Sequence, residues 1–155
     1  MRRTETIIEP SPEMTALQEK TLGELRALLP HSEIELVGAS AVPMAGRPEI
    51  DLLVISKRIA EDAGVLVTNG YRQGPIVKET SFLKKMENEI EIAIQIMAPG
   101  NSMIEIHRKI LRRLREDSQL RHRYEEWKRG LSGLAPDEYK KRKNEWLKEN
   151  ILGTL

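Results

Sequence analysis

Two carboxylates spaced two residues apart, in Glu49-Ile50-Asp51, follow a Gly38-Ala39-Ser40-Ala41 turn by about ten residues. Alternate side chains of an extended strand share a face, so Glu49 and Asp51 can converge on one divalent cation. Hard oxygen ligands of this kind suit magnesium, which keeps positions open for substrate phosphates. Upstream, Gly38 permits close backbone approach, and free amides in a tight turn can hold phosphate oxygens with the Ser40 hydroxyl. Arg47, just before the acidic strand, is a further phosphate candidate. A loop bounded by Pro43 and Pro48 joins the two parts.

The layout resembles that of the nucleotidyltransferase superfamily. In its full wording, Gly38-Ala39-Ser40-Ala41-Val42-Pro43 followed by Arg47-Pro48-Glu49-Ile50-Asp51 resembles the GrpB family of nucleotidyltransferase-fold proteins. Further matches are Gly70-Tyr71, Phe82-Leu83-Lys84-Lys85, Pro99-Gly100, Tyr124 to Leu131, Asp137-Glu138-Tyr139 and Lys143 to Trp146. The resemblance implies a magnesium-assisted site for a nucleoside triphosphate such as ATP. Gly38, Ala39 and Ser40 would cradle the phosphates, and Asp51 would hold the metal together with Glu49, an acid that GrpB members usually lack. By the same analogy Lys84 or Lys85 would contact the triphosphate, but adjacent strand residues point oppositely, so only one can.

The chain also departs from the family pattern. Ala39 replaces a hydroxyl residue, Met44 a loop glycine and Ser81 an arginine. Ala93-Ile94-Gln95-Ile96 stands where the family reads His-Leu-His-Val. Active nucleotidyltransferases carry a third carboxylate on a neighbouring strand. Gln95, at the expected place, has no titratable proton. Glu91 is the candidate substitute, with Glu89 on the same side; the bland alternative makes both a solvent face. His31, His107 and His122 lack metal-like spacing and read as surface histidines.

The elements that must position these residues are legible in part. Ser11 suits an N-cap, with Pro12 at the first helical position and Met14, Leu17, Thr21, Leu25, Leu28 and Leu29 forming a stripe that Pro30 stops. Strands are expected over 34–37, 49–55, 77–84 and 89–97, with a turn at 85–88 and a helix closing at Gly70. Asn101-Ser102 suits a helix start. Beyond it, Met103, Ile106, Ile110, Leu111 and Leu114 make one helical stripe, and Leu120, Tyr124, Trp127 and Leu131 a second. Pro136 restarts a helix that turns Tyr139, Trp146, Leu147 and Ile151 inward. The expected class is α+β: a nucleotidyltransferase-like fold with a small mixed sheet flanked by helices. One domain spans 1–155, with an α/β core over 1–100 and C-terminal helices over 101–155.

Composition narrows the function classes. The absence of cysteine excludes disulfides, thiolate zinc sites and cysteine nucleophiles. No apolar run approaches a membrane span, the longest being 52–55, so the expected partner is not a membrane and the expected compartment is the cytoplasm. Residues 1–100 hold 11 Lys and Arg against 15 Asp and Glu, whereas 101–155 hold 14 against 9. That basic section admits nucleic acid as a partner, but interspersed glutamates favour solvated helix faces. The expectation is therefore a protein that binds a nucleoside triphosphate with magnesium, with transfer of a nucleotidyl group to an acceptor hydroxyl in prospect. Its rival is a catalytically degenerate member that binds a nucleotide or a partner without turnover.

Overall fold

The computed structural model describes residues 6–153. Helix α1 (Pro12–Leu28) begins as the sequence predicts: the Ser11 hydroxyl accepts the Met14 N–H at 3.2 Å, and Pro12 occupies the first turn. Its buried face carries Met14, Leu17, Thr21 and Leu25, together with Gln18. Strand β1 (Glu33–Val37) leads into a single 3-10 turn, Ala39–Ala41, and a loop to β2 (Glu49–Ile55). Helix α2 (Ile59–Thr68) follows, and the chain turns at Gly70, where φ is 95°. Then come β3 (Arg72–Val77), β4 (Thr80–Glu87) and β5 (Ile90–Met97).

The five strands form one mixed sheet in the order β1-β2-β5-β4-β3. Only β2 and β5 pair in parallel. The expected hairpin of the third and fourth strands is present as β4 and β5, and a further hairpin, β3 to β4, precedes it. The strand expected over 77–84 is really the end of β3, a turn at Lys78-Glu79, and β4. The turn expected at 85–88 lies at Asn88-Glu89, so Glu89 is a turn residue. All four turn residues have φ between 48° and 65°, the paired left-handed geometry of tight hairpins. None is glycine, which hid the first turn and displaced the second by a few residues in a reading based on glycine and proline.

One sheet face packs on α1 and α2. Ile50, Leu52 and Val54 of β2 meet Ile90, Ile92, Ile94 and Ile96 of β5 there, as their alternation predicts. The other face is covered too, since Leu53 and Ile55 bury against Val37, Met97 and Ile104. Ile104 belongs to helix α3 (Met103–Glu116), whose inward residue is thus not Met103, which is 40% exposed. At the start of α3 the Asn101 side chain, rather than Ser102, accepts an N–H, that of Met103, at 2.8 Å.

Helices α4 (Ser118–Arg129) and α5 (Pro136–Leu147) follow, and α5 runs on into a π-helical turn, Lys148–Leu152. A second core joins Val42 and Met44 of the loop to Leu114, Leu120, Tyr124 and Ile151. Tyr124, Trp127 and Trp146 stack there, with ring centroids 4.6 to 6.2 Å apart. The aromatic stripes are core packing, as their spacing implies.

Much of the basic section is engaged internally. Arg108 grips Glu35 of β1 with two hydrogen bonds of 2.6 and 3.1 Å. Arg121 donates to the Leu114 carbonyl at the end of α3, and Arg113 to that of Ile151. No helix among the described residues is long and apolar enough to cross a membrane.

Candidate active site

The site forms where β1 ends and β2 begins. Gly38 adopts φ 75°, a conformation open to glycine and strained for other residues. A Cβ there would stand 2.5 Å from Asp51 Oδ2. The turn backbone and the Asp51 carboxylate are therefore in direct contact, and only hydrogen fits between them. Gly38→Ala should cost about 2 kcal/mol or more by combining this clash with the left-handed φ. A urea unfolding midpoint equal to wild type would show that the contact is not there.

The amides of Ala39 and Ser40 precede the turn's first internal bond, from Ala41 N–H to the Gly38 carbonyl at 3.2 Å. The Ser40 hydroxyl is buried without a hydrogen-bond partner. From α1, Gln18 holds the same residue by donating to the Ser40 carbonyl. Helix α3 sends Arg115 to the Ala41 carbonyl at 3.1 Å, and α4 sends Glu125 to the Ala45 N–H at 2.9 Å. Three helices thus fix a loop that contains little regular structure of its own.

Glu49 and Asp51 share one face of β2, as their spacing requires, and their carboxyls lie within hydrogen-bonding reach of each other. Glu49 is nearly buried and is paired with Arg47 at 2.8 Å. Burial first, then the neighbouring Asp51, pushes its pKa up to about 7, against the pull of Arg47 and Lys143. Two hard carboxylates held this close make a donor set that fits magnesium, of the two-acid kind that substrate phosphates complete.

The third carboxylate is another matter. Glu91 stands directly across from Glu49 in the parallel register, Ala93 across from Asp51, and Gln95 across from Leu53. The candidate at Glu91 is therefore the lateral neighbour of the acid pair, and Gln95 lies level with a core leucine. Yet the Glu91 carboxylate pairs with Lys84 at 3.5 Å, and among the described residues no three acidic or histidine side chains converge on a metal position. Lys84 is on the site face, aligned with Ala93 of β5. Lys85 points the other way, over the Tyr71 ring at 5.2 Å.

Several site residues come from the helices and escaped the sequence reading. The Arg47 guanidinium lies over the Tyr139 ring of α5 at 4.9 Å. One turn along α5, Lys143 faces the acid pair; its pKa is lowered by burial, with Asp51 and Glu49 opposing. Lys128 of α4 is 1% exposed, its ammonium 4.4 Å from the centre of the Tyr124 ring. Burial and Lys143 bring that ammonium down to about 7. His107 is not a surface histidine: its Nε2 is buried without a partner, and burial, then Lys143, lowers its pKa. Ile104 docks α3 onto the sheet, which draws the ring inward one turn later. His31 and His122 are exposed as expected.

A five-stranded mixed sheet with a glycine turn against a two-acid strand defines a nucleotidyltransferase-like fold. Solved structures agree. Cid1 in complex with a UTP analogue is 17% identical, with a TM-score of 0.52 over 73% of this chain and 39% of its own. The GLD-2/RNP-8 complex gives 15% and 0.54 over 90% of this chain and 58% of its own. The chain thus spans only part of either. The description "GrpB protein" matches residues 5–151. A UPF0157 protein of Vibrio cholerae is 31% identical over 135 residues, covering 84% of this chain and 71% of its own. The chain belongs to the GrpB family.

Proposed function

We propose that this protein binds a nucleoside triphosphate together with magnesium at the junction of β1 and β2. The observation that carries the reading is the contact between Gly38 and Asp51, which sets a tight glycine turn against a carboxylate pair. Glu49 and Asp51 would hold the ion, which supplies neutralisation of the phosphate charge when bound. The Ala39 and Ser40 amides, the Ser40 hydroxyl and Arg47 would take phosphate oxygens. Lys84, on the same sheet face, would reach the ligand from β4. Positioning and charge neutralisation are the catalytic means such a site offers.

Transfer of a nucleotidyl group to an acceptor hydroxyl further requires a base for that hydroxyl. Glu91 would serve once Lys84 turns from it to phosphate. A binding-only role is favoured by one observation: Glu91 is ion-paired and does not join Glu49 and Asp51 in a three-acid cluster. Titration calorimetry with ATP, with and without magnesium, tests the shared claim. Affinity is expected to fall at least about tenfold without the ion, because the acids then repel the phosphates; equal affinity in both conditions would sink the reading. Glu91→Gln then separates the two roles. In a transferase it abolishes release of pyrophosphate at nearly unchanged ATP affinity, whereas in a binder there is no turnover to lose.

A further inference from the structure

Lys128 lies outside the loop-and-strand residues considered so far. Its ammonium is buried and has no hydrogen-bond partner, an arrangement that costs free energy unless something compensates it. It is aimed at the phosphate-binding loop. A Cβ built on Gly46 would stand 3.3 Å from Lys128 Nζ and 3.4 Å from the Ala39 Cβ. The ammonium therefore lies against Gly46, at the far end of the loop that begins at Gly38, and Gly46 leaves room for it. The Ser40 hydroxyl, in the same loop, is the second buried polar group there without a partner.

The neighbouring charges indicate the missing partner. Arg47 and Lys143 add two cations, and the Tyr124 ring face supplies the nearest electron density. The nearby Glu125 carboxylate attracts the ammonium, but its Oε2 is engaged by the Ala45 N–H and by Arg129 and it makes no hydrogen bond to Lys128. Arg47 and Lys143 are matched by Glu49 and Asp51, whereas the buried Lys128 ammonium and the buried Ser40 hydroxyl of the same loop have no hydrogen-bond acceptor or donor, which suits a ligand with anionic oxygens.

We propose that Lys128 is an anion-binding residue, which donates to an oxygen of a polyphosphate held by the Gly38–Gly46 loop. This rests on the reading of that loop as a phosphate site and extends the site into α4. A bound anion supplies the opposite charge that the buried ammonium lacks.

The test uses the intact chain, inorganic tripolyphosphate without metal, and Lys128→Met, which keeps most of the length of the side chain and removes its charge. Wild type is expected to bind tripolyphosphate, and Lys128→Met to lose affinity about tenfold or more. The same variant is expected to melt about 3 °C or more above wild type without ligand, since it relieves an uncompensated buried charge. A structural lysine would give the opposite thermal shift, so a lower melting temperature overturns the proposal. Unchanged tripolyphosphate affinity in Lys128→Met overturns it too, while leaving the loop as a phosphate site. Absence of binding by wild type overturns both. A parallel titration with ATP identifies the source: an equal penalty in Lys128→Met places the ammonium on a nucleotide's phosphate tail. Tripolyphosphate binding without ATP binding assigns it to free polyphosphate.

Discussion

Glu49→Gln should stabilise the protein at pH 8 and flatten its stability between pH 4.5 and 7. The ordinary glutamate value is 4.5, and in the fold this carboxyl is pushed up to about 7. Within that window the unfolded chain has released the proton that the folded protein keeps. The folded state then binds more protons, so stability falls as pH rises, by up to about 3 kcal/mol from this one group. Glutamine has no proton to lose and keeps the shape. Urea unfolding from pH 4 to pH 8 measures the difference. A variant that follows the wild-type slope, or is less stable at pH 8, would show that the burial of Glu49 and its closeness to Asp51 are not as described. Magnesium should stabilise wild type at pH 8, by mass action on the folded state, and stabilise the variant less.

Asp51→Asn should nearly abolish the magnesium dependence of ATP affinity while leaving the fold intact. The carboxylate faces the turn and Lys143, and its neighbours on the opposite face, Ile50 and Leu52, are the ones fully buried in the main core. Asparagine retains the shape that lies against Gly38 and relieves repulsion with Glu49, so stability should stay within about 1 kcal/mol of wild type. A large thermal loss would instead mark Asp51 as part of a structural ion cluster with Arg47 and Lys143.

The acidic strand was legible because alternation of side-chain faces is a local property, although burial of Leu53 and Ile55 on the second face was not; β2 begins and ends where its pattern says. The first helix was equally plain from Ser11 and Pro12. The hairpin at Lys78-Glu79 was missed, and the turn of the next one was placed over 85–88 rather than at Asn88-Glu89, because both turns adopt left-handed geometry without glycine, held by the pairing of their strands rather than by their own preference. That error carried into the candidate site. Without the register of β5 on β2, nothing in the sequence shows that Glu91 faces Glu49 while Gln95 faces Leu53.

The helical contributions were hidden differently. Lys128 is four residues after Tyr124 and three before Leu131, and Lys143 is four after Tyr139 and three before Trp146. Each lysine thus stands on an apolar stripe, where a solvated charge has no place. That signal was present, but only the tertiary fold shows that both stripes turn towards the carboxylates. His107 follows the same rule, one turn beyond Ile104.

The central claim is that Glu49 and Asp51 share one divalent ion at the Gly38 turn. Its most direct test is a crystal grown with manganese and a non-hydrolysable ATP analogue, with anomalous scattering locating the ion. A peak is expected within about 2.5 Å of oxygens from both Glu49 and Asp51, with the analogue's phosphates against the amides of Ala39 and Ser40. A metal and triphosphate bound elsewhere, or phosphates at the turn with Arg47 and Lys143 still closing the acid pair, would contradict it.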